Sequence, residues 1–216
     1  ELYQKPYDGL KNMRTTDTYS LTDATLTSTQ PLGCVNGRAI EVEAEFIMPD
    51  TQNPARATDF GLTFLDKARL TYNPSLGILK LDLTQMPRVQ NDNGTFDGIY
   101  QATIPNMPQS GETLKMHVFL DHSILDIFIN DHYAASVRLF PTDASAESAQ
   151  ICTNGEVLVK KLNAWILNPQ QTTALESFVK DNTNTPAQYY DLNGRCISNH
   201  VAGIYIHNGK KVMMGK

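Results

Sequence analysis

The sequence predicts an all-β protein: a two-sheet antiparallel β-sandwich of the jelly-roll or lectin-like kind, followed by a small β appendage. Three observations lead there. Apolar and polar residues alternate over many short runs, the period-2 signature of half-buried strands. Turn-forming residues break those runs at intervals of about 8–12 residues. No long window carries an apolar repeat of helical period.

The elements follow in chain order. Residues 1–20 (ELYQKPYDGLKNMRTTDTYS) are polar, with Pro6 and Gly9 as breakers. They read as a connector from an upstream domain, with at most a short helical turn between Tyr7 and Arg14. The sandwich is assigned to residues 21–168. Its clearest strand runs from Gly37 to Met48, where Ile40, Val42, Ala44, Phe46 and Met48 alternate with Glu41, Glu43 and Glu45. One face is oily and the other carries three carboxylates, as expected of an antiparallel sheet solvated on one side. Further strands are expected from Phe60, at Ala68 to Tyr72, at Gly77 to Leu83 and at Ile99 to Ile104. Asn73-Pro74-Ser75 and Asn93-Gly94 mark turns, and Asn93-Gly94-Thr95 also fits the pattern of an N-glycosylation acceptor.

The stretch Leu114 to Phe140 (LKMHVFLDHSILDIFINDHYAASVRLF) holds three apolar runs divided by two tight polar breaks, Asp121-His122-Ser123 and Asn130-Asp131-His132. Such short breaks demand antiparallel neighbours, because a parallel crossover needs a dozen or more residues. The result is a three-stranded meander. Phe119 and Phe128 fall on the face that alternation would leave to water, so that face is expected to be covered, with these two rings as domain-packing candidates. Val157 to Leu167 supplies the last long strand, with Trp165 near its end.

From Asn168 the composition turns polar, and residues 169–188 read as a linker. The tail, 189–216, holds two Asn-Gly pairs, Asn193-Gly194 and Asn208-Gly209, between apolar runs. Asn-Gly is a strong hairpin signal because both residues tolerate positive φ.

Composition bounds the function. The 216 residues are 41% hydrophobic and 19% charged, with a net charge of −5. That gives no basic footprint for nucleic acid, and no apolar run approaches the roughly 20 residues of a membrane span. The chain opens on Glu1 with no charged-then-apolar leader, as expected if a leader has been removed or, the preferred reading, if this is a piece of a longer protein. Cys34, Cys152 and Cys196 are odd in number and widely spaced. They allow at most one disulfide and read more simply as three free thiols.

Candidate chemistry is sparse. No nucleophile elbow, zinc-protease helix, phosphate loop or dinucleotide fingerprint occurs. His122 and His132 lie in turns at opposite ends of a strand, so with His117 they cannot converge on one metal. Asp121 and Asp131 are separated in the same way, beyond the reach of a glycosidase carboxylate pair, and Asp126 lies between them. No catalytic residue, metal ligand or cofactor is assigned. If the sandwich binds sugar, Tyr72, Tyr100 and Tyr133 are the candidates to stack on it.

His117 to Pro141 (HVFLDHSILDIFINDHYAASVRLFP) resembles the signature of the C-terminal β-sandwich module of glycoside hydrolase family 32, the invertase, inulinase and levanase family. Asp121, Ser123, Phe128 and Pro141 match, while His122 stands for the common Arg and Asp126 for the common Glu. LTYNPSLGILKLDLT (Leu70 to Thr84), LNAWIL (Leu162 to Leu167) and LYQKPYDGLKNMR near the start are similar to other parts of that module. The resemblance implies that catalysis belongs to an N-terminal five-bladed propeller, whose Asn-Asp-Pro-Asn-Gly, Arg-Asp-Pro and Glu-Cys motifs do not occur here. It implies a non-catalytic module that supports the propeller, with fructan or sucrose as the parent's substrate, an exported location and a possible homodimer. The alternative is a stand-alone lectin-like carbohydrate-binding module. The tail YYDLNGRCISNHVAGIYIHNGKKV resembles short C-terminal motifs of exported Bacteroidetes proteins.

Overall fold

The computed structural model describes residues 2–86, 98–141 and 143–168, together with residues 189–190, 196–197, 203–207 and 210–214 of the tail. It divides into two compact units, Glu1–Gln171 and Thr172–Lys216.

The first unit is a sandwich of two six-stranded sheets. One sheet contains, in spatial order, β1 (Arg14–Leu26), β12 (Val157–Leu167), β3 (Ala39–Ile47), β8 (Thr113–Asp121), β9 (Ile124–Ile129) and β10 (Tyr133–Arg138). The other contains β2 (Gln30–Pro31), β11 (Ala149–Thr153), β4 (Phe60–Phe64), β5 (Ala68–Asn73), β6 (Ile78–Asp82) and β7 (Ile99–Thr103). Every neighbouring pair within them is antiparallel. The expected meander is β8–β9–β10, with His117 opposite Phe128 and Val118 opposite Ile127. Its first break is a two-residue turn between Asp121 and Ile124, in which His122 takes a left-handed conformation at φ 52°. Asn130 and Asp131, at φ 52° and 59°, turn the second.

Alternation explains the core. Ile40, Val42, Ala44 and Phe46 of β3, Leu114, Met116, Val118 and Leu120 of β8, and Leu125, Ile127 and Ile129 of β9 all point inward and are buried. They meet Phe60, Leu62 and Phe64 of β4, Leu70 and Tyr72 of β5, and Ile151 of β11. Phe46 and Phe60 bring their ring centroids to 4.9 Å across the two sheets.

One glycine is fixed by close approach. Gly61 pairs with Thr71 of β5, and a Cβ on it would lie 2.2 Å from the Leu70 carbonyl oxygen. Backbone cannot yield there without opening the β4–β5 ladder. Gly61→Ala is expected to destabilise the sandwich by about 1–3 kcal/mol, the usual cost of overpacking. Urea unfolding should show a lower midpoint at unchanged slope, and an unmoved midpoint would refute the argument.

The sandwich begins earlier than the connector reading of residues 1–20 allows. A 3-10 helix covers Asp8–Met13, and β1 starts directly after it at Arg14. Its polar sequence hid it: β1 is an edge strand whose side chains stay half or fully exposed until Leu26. The linker 169–188 and the Asn93-Gly94-Thr95 triplet lie outside the described residues. In the tail, β13 (Tyr189–Tyr190), β14 (Cys196–Ile197), β15 (Gly203–His207) and β16 (Lys210–Met214) form a sheet of order β14-β13-β15-β16. Tyr190 pairs with Cys196 and His207 with Lys210, and the two Asn-Gly pairs lie outside the described residues. Cys34 is exposed and Cys152 buried, and both are free thiols.

Candidate functional site

The outer face of the first sheet holds the most concentrated polar chemistry among the described residues. Register places two rows across it: Trp165, Glu41, Phe119 and Asp126, and beside them Asn163, Glu43, His117 and Phe128. Alternation along β3 was expected to leave its three glutamates in water. Glu41 instead is 1% exposed. The cause is Arg14, at the start of β1, which folds across the strands to reach it.

The Arg14 guanidinium donates from Nε to Glu41 Oε2 at 2.8 Å and from Nη2 to Glu41 Oε1 at 2.6 Å. The same Nη2 donates to Glu43 Oε1 at 2.5 Å. The guanidinium carbon stands 3.5 Å from the centroid of the Trp165 ring, a cation–π contact made away from bulk water. His117 Nε2 lies 2.7 Å from Glu41 Oε1. An ionised carboxylate can only accept, so Nε2 carries the hydrogen. Burial alone would push the Glu41 carboxyl up, but hydrogen bonds from Arg14 and His117 outweigh it and hold the group below the usual carboxylate range. For Arg14, burial opposes the charge, and Glu41 and Glu43 reverse that and push its pKa higher still.

This arrangement leaves Glu41 fully committed. Both Glu41 oxygens are engaged and the group is held ionised, so it has neither a proton to donate nor a free oxygen poised to accept one. Ligand atoms of Glu41, Glu43 and His117 lie within 4.8 Å of one another, close enough to hold a metal ion. Arg14 already supplies the positive charge there, with the bidentate geometry that makes arginine the usual partner of a buried carboxylate.

A segment of chain covers part of this face. Gln4 donates its backbone N–H to the Asp131 carbonyl at 2.8 Å, and the Tyr3 ring lies 4.5 Å from that of His132. Between this segment and the sheet is a cavity of about 220 Å³, lined by Lys5, Tyr7, Asp8, Glu45, Lys115 and Phe119 among others.

The residues singled out from sequence are dispersed. Tyr72 is wholly buried in the core, packed edge-on against Phe60, so it cannot stack on a sugar. Its place opposite Phe60 and next to Leu70 in the β5 alternation explains this. Tyr100 stands on edge strand β7, 38% exposed. Tyr133, on the other sheet, is half-buried and donates its hydroxyl to the Pro105 carbonyl at 2.9 Å. Phe119 is buried and Phe128 half-buried, and their rings meet edge to face at 6.4 Å. His122 bonds Asp121 at 2.7 Å, far along the meander from His132. Asp126 accepts a hydrogen bond from Ser136. Sequence reasoning missed Arg14, which meets Glu41 from 27 residues away, and Tyr7.

The fold and this ion-paired outer face define a β-sandwich module with no convergent acid/base pair among the described residues. Residues 9–166 match the model of the family "Glycosyl hydrolases family 32 C terminal", so the chain belongs to that family of C-terminal domains. No curated protein matches the sequence. Among solved structures, the exo-inulinase from Aspergillus awamori is 19% identical with a TM-score of 0.62, over 77% of this chain and 32% of that one. Fructan 1-exohydrolase IIa from Cichorium intybus is 19% identical with a TM-score of 0.61, over 78% and 38%. The Aspergillus kawachii beta-fructofuranosidase is 16% identical with a TM-score of 0.60, over 72% and 28%. At these identities the likeness concerns the fold. The chain spans about a third of the length of each of these relatives. No helix among the described residues is long and apolar enough to cross a membrane.

Proposed function

We propose that this chain is the non-catalytic accessory module of an exported family 32 glycoside hydrolase that acts on fructans or sucrose. Its role is to pack against the enzyme's N-terminal five-bladed propeller and keep that domain intact. The observation that carries the reading is the match of residues 9–166 to the C-terminal domain family. Two others support it. The solved relatives named above are an inulinase, a fructan exohydrolase and a fructofuranosidase, each far longer than this chain. Glu41, the one buried carboxylate of the outer face among the described residues, is committed to Arg14 and His117, which leaves it no part in glycoside cleavage.

The test is direct. The isolated chain is expected to release no fructose from sucrose, inulin or levan. Turnover at a rate of about 1 s⁻¹ or more, the lower end of the enzymatic range, would overturn the reading. A second role, contact with saccharide, is favoured by one feature of the segment that crosses the first sheet.

A further inference from the structure

Tyr7 is 79% exposed. It lies directly over Gly9: a Cβ on that glycine would stand 2.2 Å from the ring's Cε1 and 2.9 Å from its Cζ. Gly9 does not have a positive φ, so its backbone does not call for glycine, and its missing side chain leaves the ring room to lie there. The backbone beneath it is tied locally, Leu10 donating its N–H to the Tyr7 carbonyl at 3.1 Å. An aromatic ring that rests on a glycine with its other face open to water offers a flat surface to a ligand.

The same tyrosine lines the cavity of about 220 Å³ beneath the segment. Polar atoms are plentiful in its wall: Lys11 donates to Asp8 Oδ1 at 3.0 Å, and the other charges are loosely committed. Glu41 and Glu43 belong to Arg14. Three ammonium groups (Lys5, Lys11 and Lys115) then face three carboxylates (Asp8, Glu45 and Asp131). Lys115 and Asp131 stand 3.9 Å apart, and Glu45 is 3.9 Å from Lys160, too far for direct hydrogen bonds. Lys5 has no hydrogen-bond partner among the described residues. A wall that alternates acceptors and donors with balanced charge does not select an anion or a cation. It suits a neutral ligand dense in hydroxyl groups, each able to donate to a carboxylate and accept from an ammonium. A flat apolar ring at the edge of such a wall suits the C–H face of a sugar.

We infer that Tyr7 and this cavity form a saccharide-binding site, with Tyr7 stacking on a sugar ring and Asp8, Glu45, Lys5 and Lys115 contacting its hydroxyls. Fructo-oligosaccharide is the expected ligand, a choice of sugar that rests on the proposed function above. The site also moves the sugar-binding role away from Tyr72, Tyr100 and Tyr133.

The test is calorimetric titration of the whole chain with inulin-type and levan-type fructo-oligosaccharides, with maltotriose and cellotriose alongside. Weak binding is expected, with a dissociation constant on the order of 1 mM. Tyr7→Ala should weaken it at least about tenfold, and Tyr7→Phe should preserve it. Gly9→Val, which evicts the ring without removing it, should weaken it like Tyr7→Ala. Circular dichroism melts check that both variants stay folded, as expected for changes at an exposed surface. Binding of glucans with the same Tyr7 dependence and no fructan binding would uphold the site and sink the fructan reading. No binding by any saccharide, or binding indifferent to Tyr7 and Gly9, overturns the site, and the former would leave Tyr7 as a contact for another protein surface.

Discussion

Replacing Arg14 by methionine is expected to cost about 3–5 kcal/mol and to reverse how the sandwich responds to mild acid. Removing one partner of a buried ion pair leaves the other charge uncompensated, which is the source of that magnitude. Here the orphan is Glu41, 1% exposed, with Glu43 beside it and only His117 still donating to it. The methionine keeps the apolar stem over Trp165, so packing alone does not account for the loss.

The pH dependence follows from the sign of the shift. In the native chain burial pushes the Glu41 carboxyl up, but Arg14 and His117 hold it below its unfolded value. Its contribution is therefore fully present above the unfolded value, near 4.5, and is lost as pH falls through the lower folded one. Without Arg14, the effect of burial prevails and the folded pKa lies above the unfolded one. The ionised form is then penalised at neutral pH, and the variant recovers stability as pH falls through the raised value. Between pH 7 and pH 5 the urea midpoint of the variant should rise while Glu41 leaves that of the native chain unmoved, and only below about 4.5 should the native midpoint fall on its account. Arg14→Lys should fall between them, since an ammonium keeps the charge but not the fork. Adding Glu41→Gln to the methionine variant should restore much of the loss by removing the orphan charge. A cost below about 1 kcal/mol with an unchanged acid response would make the cluster an ordinary solvated surface pair.

The same residues show how much was legible beforehand. Alternation carried nearly all of the sandwich: the inward sets of β3, β8 and β9 were readable because period-2 spacing assigns whole faces at once. The meander was readable because its breaks are too short for anything but antiparallel neighbours. Glu41 was misread by the same rule, since alternation gives the face and not what lies over that face. Its cover comes from Arg14 and Trp165, which stand 27 and 124 positions away, and no local pattern announces such contacts. The start of β1 was missed because an edge strand with few buried side chains carries little apolar signal. Tyr7 went unnoticed for a related reason: a tyrosine two residues before a glycine is common, and only the folded chain lays one over the other. Tyr72 was different. Leu70 and Tyr72 share a face in ARLTYN, and the strongly apolar partner run Phe60, Leu62, Phe64 could have placed that tyrosine inside.

That aromatic core gives the second large effect. Phe60→Ala is expected to cost about 3–5 kcal/mol, the range for emptying a buried aromatic site. Phe60 is fully buried between Phe46, at 4.9 Å, and Tyr72, at 6.1 Å, so its removal strips contacts from both sheets. The site cannot collapse readily, because Gly61 pins the adjoining backbone against Leu70. Tyr72→Phe should behave in the opposite way. The Tyr72 hydroxyl is buried and has no hydrogen-bond partner among the described residues, and burial pushes its pKa up. An unsatisfied buried hydroxyl costs about 1–3 kcal/mol, so deleting it should leave the fold as stable or make it more so. Thermal melts of the two variants separate the contributions: a steep loss for Phe60→Ala beside no loss for Tyr72→Phe identifies ring packing as what holds the two sheets together. A comparable loss from Tyr72→Phe would mean that the hydroxyl has a partner, such as a buried water, and that polar contacts share in holding the core.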